Sequence, residues 1–276
     1  MPQSDFAMRR EAFRRLHDAG CFVIPDPWDV GTARYLRSLG FPALATTSAG
    51  FAFSQGLPDG GWAVSRDQAL RHIAEIVAAT DLPVNADFEN GYAHSPDDVA
   101  ENVRRCMETG VAGLSIEDAT GDARAPLYDL ALAVERIQAA RRAIDESKAG
   151  VLLTARAECF LTKHPDPLKE SIRRLEAYTE TGADVLYAPG LRTRPEIEAV
   201  VAAVRPKPVN VLALGNRLTV GDMAAMGVRR ISVGSALARV AWTGFIRAAK
   251  EIAGSGSFGG FEGAVSYAEL NEFFRR

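Results

Sequence analysis

Short apolar runs and longer amphipathic stretches alternate along the whole chain. Runs at 22–24, 43–46, 84–86, 113–116, 151–154, 185–187, 209–212 and 230–233 have the length and composition of buried strands. Between them, stretches at 31–39, 66–79, 96–109, 128–147, 167–181, 194–204 and 219–226 mix apolar residues with Ala, Arg and Glu. That mixture predicts helices with one face on a sheet and the other in water. Start signals agree: Ser65 before Arg66, Ser95-Pro96-Asp97, and Thr193 before Pro195. Gly40, Gly110, Gly182 and Gly227 stand where helices stop. Strand–helix alternation predicts parallel strands joined by crossovers. Eight repeats within 276 residues predict an α/β chain closed into a (β/α)8 TIM barrel, a fold of about 250 residues. An open doubly wound sheet is the alternative. It usually carries a Gly-rich fingerprint after its first strand, where this chain reads Pro25-Asp26-Pro27-Trp28-Asp29. Residues 1–20 predict a helix before the barrel, and 242–253 extend the helix after the eighth strand. Beyond a Gly/Ser-rich link, 266–276 predict one more helix. The expectation is one barrel domain over 1–276, with a C-terminal helical extension at about 254–276.

Composition narrows the partners. Hydrophobic residues make up 47% of the chain and charged ones 24%, ordinary usage for a globular protein. A net charge of -3 lacks the basic footprint of a nucleic-acid binder. Cys21, Cys106 and Cys159 show neither pairing nor metal-type spacing, which fits a reducing cytoplasm. Residues 1–15 are charged rather than signal-like. No apolar run approaches the roughly 18 residues of a membrane span.

In a barrel, chemistry gathers at the C-terminal strand ends. Here those ends carry Asp26 and Asp29; Thr47, Ser48 and Gly50; Asp87 and Glu89; Glu117 and Asp118; Arg156 and Glu158; Tyr187 and Pro189; Asn210; Gly234 and Ser235. The strand starts carry mainly proline, glycine and small apolar residues. Asp87 and Glu117, on neighbouring strands, point to a shared hard cation, because close carboxylates repel unless protonated or bridged. Mg2+ fits, since it takes one or two carboxylates and completes its shell with water and substrate. Solvated loop acids are the plainer alternative. Arg156 is expected to face that metal across the mouth and to grip a substrate carboxylate; a structural salt bridge is its alternative. Asp26 and Asp29 are either site residues or helix caps. The small side chains of Thr46-Thr47-Ser48-Ala49-Gly50 leave backbone N–H groups open to an anion. Residues 51–62 form a long Gly-rich connection that predicts a lid. Asp59 stands at its tip or hinge, or in a plain type I turn. The four histidines form no zinc pattern, and Cys159 is expected to be a buried structural thiol.

Taken in order, Pro27-Trp28-Asp29 with Ala33-Arg34, Thr47-Ser48-Ala49-Gly50, Gly56-Leu57-Pro58-Asp59, Asn85-Ala86-Asp87, Ser115-Ile116-Glu117-Asp118 and Thr154-Ala155-Arg156 resemble the isocitrate lyase / phosphoenolpyruvate mutase superfamily. The resemblance runs nearly the whole chain. It implies a barrel whose last helix swaps between subunits, in a homodimer or homotetramer, and Mg2+ (Mn2+ as the alternative) on the oxygens of a 2-oxo acid. It further implies that Ser48, Ala49, Gly50, Arg156 and Asn210 bind substrate. Asp59 would belong to the gating loop and, with Arg156, to the catalytic set. Asp87, Glu117 and Asn85 would form the metal shell. Asn85 stands where the family's direct Asp ligand is usual, and Glu89 is the candidate for the missing charge. Residues 119–126, Ala-Thr-Gly-Asp-Ala-Arg-Ala-Pro, lack the Lys-Cys loop of the isocitrate-type lyases and the Lys and Asn of the mutase.

The function expected is a cytoplasmic Mg2+-dependent lyase or decarboxylase. It would break a C–C bond beside a small 2-oxo or 2-hydroxy di-acid of oxaloacetate size, through an enolate. A phosphonopyruvate/phosphoenolpyruvate mutase or hydrolase is the alternative within enzymes. Outside them stands a non-catalytic 2-oxo-acid-binding protein. A nucleotide- or flavin-binding barrel is a third reading, on Gly215-Asn216-Arg217 and Gly234-Ser235 after strands seven and eight.

Overall fold

A computed structural model describes residues 3–213, 215 and 218–275. Asn216 and Arg217, on which the nucleotide reading partly rests, lie outside them. Eight parallel strands run in the order β1-β8-β7-β6-β5-β4-β3-β2: β1 Phe22–Ile24, β2 Leu44–Ala45, β3 Val84–Asp87, β4 Gly113–Glu117, β5 Leu152–Arg156, β6 Val185–Tyr187, β7 Val209–Leu212 and β8 Arg230–Ser232. The amide of Ala45 donates to the carbonyl of Pro25 at 3.0 Å and joins the two ends of that order. The (β/α)8 barrel is therefore the fold, and the open sheet is set aside.

Helices α1 Gln3–Leu16, α2 Val30–Ser38, α3 Ser48–Ser54, α4 Arg66–Ala78, α5 Pro96–Glu108, α6 Leu130–Ser147, α7 Pro167–Thr179, α8 Arg194–Ala203, α9 Val220–Ala225, α10 Ala236–Ser255 and α11 Tyr267–Arg275 accompany the strands. Caps set their starts. Asp29, Ser65, Thr193 and Thr219 each close a reciprocal capping box. One helix departs from expectation. Phe51 to Ser54, read as the start of a long connection, belong to α3 (Ser48–Ser54), with Thr47 accepting from the Gly50 amide as its N-cap. The connection to α4 is correspondingly shorter.

Inside the barrel the layers differ. The bottom is apolar: Phe13 of α1 plugs it against Phe22, Ala43, Ala112 and Leu152. Above it the inward positions are polar, where a barrel of this class usually carries branched aliphatics. Asn85, Ser115, Thr154, Asn210, Arg230 and Ser232 are all buried there. A polar interior layer stores little packing energy, and its cost makes sense only beneath a site.

Candidate active site

One cavity of about 160 Å3 opens at the C-terminal strand ends, lined by Asn85, Ser115, Asn210, Arg230 and Ser232 of that polar layer together with rim residues such as Asp87 and Arg156. Strand alternation explains who points inward. Asn85 and Asp87 share one face of β3, Ser115 and Glu117 one face of β4, and Thr154 and Arg156 one face of β5. Asp118, one residue past Glu117, falls on the other face. There it accepts from the Glu158 amide (2.8 Å), Arg174 Nη1 (3.0 Å) and the Tyr178 hydroxyl (2.6 Å). Asp118 is thus a buried structural acid that fixes the backbone under Glu158.

Arg156 is the hub of the rim. Its Nη1 lies 2.5 Å from Asp87 Oδ1, its Nη2 3.0 Å from Glu117 Oε2 and 2.8 Å from Glu158 Oε1, and its Nε donates to Glu158 Oε1 at 2.9 Å. Its guanidinium also stands 5.2 Å from the Tyr187 ring centroid. The expectation that Arg156 faces the acids across the mouth is corrected: it pairs in register with Glu117 on the adjacent strand and sits between the acids. Burial alone would lower its proton affinity, but Glu158, Glu117 and Asp87 outweigh burial and raise it well above the usual value.

One cation among so many carboxylates leaves a deficit of positive charge. Burial lifts Glu117 well above the ordinary carboxylate range, with Glu158, Asp87 and Glu89 adding to the push and Arg156 opposing it. Glu158 is pushed up to about 7, by burial first and then by Asp118 and Asp87 against Arg156. Glu89 rises to about 7 through burial, although the Tyr92 hydroxyl donates to its Oε1 at 2.9 Å. Glu89 lies in a small recess beside Asp87, outside the main cavity. Asp59 keeps solvent contact as a residue, but its carboxyl lines the mouth. Crowding by protein and then by Asp87 raises it.

The donor set fits a hard divalent cation. Asp87 lines the cavity and Glu117 stands on the neighbouring strand, each holding one carboxylate oxygen against Arg156. Asn85 carries a buried Oδ1 with no partner, and Gly113 opposite leaves that oxygen its room, since a Cβ there would come within 2.7 Å. No group of three His, Cys, Asp or Glu among the described residues forms a ready-made cage. A cation held here would complete its shell with water and substrate, as Mg2+ prefers.

The remaining sequence-derived residues divide. Ser48 and Ala49 line the cavity, and the Ser48 amide and hydroxyl both donate to Asp87 Oδ2, at 3.0 and 2.9 Å. Gly50 does not line it. Gly50 lies under Thr47, Trp28 and Ala238, so close that a Cβ would meet Thr47 at 2.7 Å. Asn210 lines the cavity, but its Oδ1 accepts from Arg230 Nε and its Nδ2 donates to Ser232. Asp29 is a helix cap, whereas Asp26 is not: its Oδ1 accepts from the amides of Val233 and Gly234, both at 2.8 Å. Cys159 is buried, and burial pushes its thiol up to about 12. Reading strand ends alone missed Arg230, which stands at the start of β8. Only the register, which pairs it with Asn210 and Asn210 in turn with Tyr187, brings it to the level of the site.

A (β/α)8 barrel with a small polar cavity at the C-terminal ends of its strands defines a class of folds that carry their active sites at that face. Within it, this chain belongs to the phosphoenolpyruvate phosphomutase family, part of the phosphoenolpyruvate mutase / isocitrate lyase superfamily, with the family profile matching residues 13–253. The chain is 49% identical to a protein from Burkholderia cenocepacia J2315, provisionally described as a lyase/mutase. That crystal structure superposes with a TM-score of 0.94 over 99% of this chain and 98% of the other. It is 31% identical over 209 residues to the oxaloacetate decarboxylase of Bradyrhizobium diazoefficiens, covering 72% of this chain and 69% of that one. Oxaloacetate acetylhydrolase with its product oxalate superposes with a TM-score of 0.85 at 26% identity, over 97% of this chain and 94% of the other. No helix among the described residues is long and apolar enough to cross a membrane.

Proposed function

We propose that the chain is a Mg2+-dependent enzyme that breaks a carbon–carbon bond beside the carbonyl of a small 2-oxo di-acid of oxaloacetate size. The observation that carries the reading is the Asp87–Glu117–Glu158 cluster at the C-terminal strand ends, which gathers more carboxylates around Arg156 than its one charge balances. The oxaloacetate-acting relatives support the substrate size. Mn2+ is the alternative ion.

Asp87, Glu117 and Asn85 would hold the cation, which supplies Lewis-acid stabilisation of the charge that develops on the 2-oxo oxygen. Arg156 fixes the acids and offers its charge to the carboxylate beside the 2-oxo group. The Ser48 amide, at the start of α3, aligns Asp87. Asp59 lines the mouth, burial and then Asp87 raise its carboxyl above the ordinary aspartate range, and it is the candidate to pass a proton to the carbanion carbon. The 55–62 segment excludes water from that carbon.

The test is turnover of a 2-oxo acid panel by the purified protein, with and without EDTA. Oxaloacetate cleavage that EDTA abolishes and Mg2+ restores is expected. Metal-independent turnover, or no turnover with no binding, would sink the reading. Turnover of phosphonopyruvate in preference to oxaloacetate would favour the mutase or hydrolase alternative, consistent with the family profile.

A further inference from the structure

Asp26 lines the cavity, is 4% exposed and has no part in the chemistry assigned above. It stands two residues past Ile24, the last residue of β1, and both line the cavity. Its Oδ1 accepts from the amides of Val233 and Gly234, just past β8, both at 2.8 Å. That places its carboxyl on the β1–β8 side of the wall, whereas Asp87, Glu117 and Arg156 come from β3, β4 and β5. Its second oxygen, Oδ2, accepts no hydrogen bond among the described residues, yet it is not sealed in as the orphaned Asn85 Oδ1 is. On a residue that lines the cavity, such an oxygen opens on the cavity.

The plainer role is a staple. Two amide bonds tie the end of β1 to the loop after β8, and an asparagine would accept both equally well. A carboxyl adds a cost, because burying a charge is unfavourable unless it is paired, and Asp26 joins no ion pair among the described residues. Burial raises its proton affinity well above the ordinary aspartate range and Asp87 adds to the rise, while the two amides and, more weakly, Arg230 oppose it. A staple has no use for the free oxygen or for the raised affinity. A proton-transfer group in a cleft needs both.

The cleavage proposed above leaves a carbanion beside a carbonyl, with Asp59 on the lid segment as its candidate donor. Asp26 is a second carboxyl at the same cavity, held on a strand end rather than on the lid. We infer that Asp26 is a further catalytic residue: from the cavity wall, its Oδ2 takes a proton from the carbon next to the carbonyl of a bound 2-oxo acid and returns one to it. The chain thereby has a second activity, hydrogen exchange at that carbon. In the forward step the C–H bond breaks, its electron pair passes into the enolate and the proton goes to Oδ2. In the reverse step Oδ2 gives a solvent-derived proton to the carbon, and nothing is oxidised or reduced. The inference deepens the proposed function and rests on it for the kind of ligand the cavity takes.

The experiment follows deuterium entering the methyl group of pyruvate in D2O by proton NMR, with Mg2+, against a protein-free control. Oxalate affinity is measured beside it by calorimetry. The wild type should exchange above the control, and Asp26→Asn should slow exchange by about 100-fold. Oxalate affinity should stay within about threefold of wild type, and the metal-free melting temperature should be unchanged, since asparagine keeps the acceptor for both amides. Exchange in Asp26→Asn as fast as in wild type overturns the inference. A parallel loss of exchange and oxalate affinity marks a staple and overturns it too. Should Asp26→Asn fail to fold, Asp26→Ser, whose hydroxyl still accepts from an amide, is measured against the same thresholds. A wild type that binds oxalate but exchanges nothing overturns the role of Asp26 and leaves the proposed function standing. One that neither binds oxalate nor exchanges overturns both.

Discussion

Arg156 bonds to carboxylates from three positions, Asp87, Glu117 and Glu158, each on a different stretch of chain. A lysine has the charge but not the planar fork that serves three acids at once. Arg156→Lys and Arg156→Gln are both expected to lower turnover about 100-fold or more. Arg156→Gln should also lower stability by about 3 kcal/mol, measured by urea unfolding at pH 8. At pH 6 the loss should shrink, because Glu158, pushed up to about 7, then takes a proton and relieves the repulsion. A loss equal at both pH values would show that Arg156 is not what balances these acids. Two histidines away from the mouth set the acid limit. Burial, then Arg230, pushes His17 down to about 3, and burial pushes His72 down to about 4. Both stay neutral in the fold, while the unfolded chain takes protons below about 6.5. Their contribution is therefore present above that pH and falls away on acidification, by about 1.4 kcal/mol per pH unit for each histidine. Unfolding curves from pH 7 to 5 should show His17→Gln and His72→Gln each flatter than wild type. That difference isolates the histidines from the raised carboxylates, which titrate with the opposite sign.

At the level of elements, the segment between α3 and α4 is latched rather than loose. Trp62, at φ 55, donates through Nε1 to Asn90 Oδ1 at 2.8 Å, and Asn90 Nδ2 donates onward to the carbonyl of Ala119. Gly61 packs against Gly121 of the β4 loop. The loops after β2, β3 and β4 thus close on one another beside Asp59. Trp62→Phe keeps the ring and removes the donor, at a cost of about 1 kcal/mol. Proteolysis within 55–62 should quicken roughly fivefold and kcat/KM should fall by a similar factor, with little change in melting temperature. Unchanged cleavage would mean that the bond does not hold the segment down. The same elements show what a linear reading reaches. Strand and helix alternation was legible because burial imposes periods of two and 3.6. The acids at the ends of β3 and β4 were legible because apolar runs stop there abruptly. Helix α3 was not, since seven residues with a glycine and two phenylalanines give a weak helical signal, and only the Thr47 cap and packing under Trp28 make it a helix. Arg230 was not legible either. Strand tilt raises the start of β8 to the level of Asn210 on β7, a relation with no trace in the order of residues. Nor does a strand-end list show that Asp118 turns away from Glu117; that needs the alternation applied residue by residue.

The molecule as a whole leaves one surface unfinished. Of the 20 residues of α10, only Ala238 is buried. Val240 is 69% exposed and Phe245 63%, with Trp242 and Ile246 beside them. The chain beyond adds Phe258, Phe261 and Val265, then Tyr267 at 85% exposure. Helix α11 returns to its own barrel only at its end, where Phe273 meets Tyr35 (5.2 Å between centroids) and Arg34 reaches the carbonyl of Phe274. Apolar side chains gathered on this scale mark an interface. We propose that α10 and the C-terminal segment join copies of this chain, by exchange of the last helix or by simple docking. The groove between α10 and the root of the lid, lined by Phe53, Leu57, Trp242 and Ile246, then places a second subunit against the segment that covers the active site. Assembly and lid closure become coupled, because a subunit bound there restrains Leu57 two residues from Asp59. Light scattering should give a mass that is a multiple of 29.7 kDa for the wild type, and the monomer mass for Val240→Glu combined with Phe245→Glu. Coupling predicts that the monomeric variant also shows faster proteolysis within 55–62. A wild type that is monomeric at about 50 µM leaves the apolar surface unexplained by self-association, and a monomeric variant with an unchanged lid separates assembly from closure.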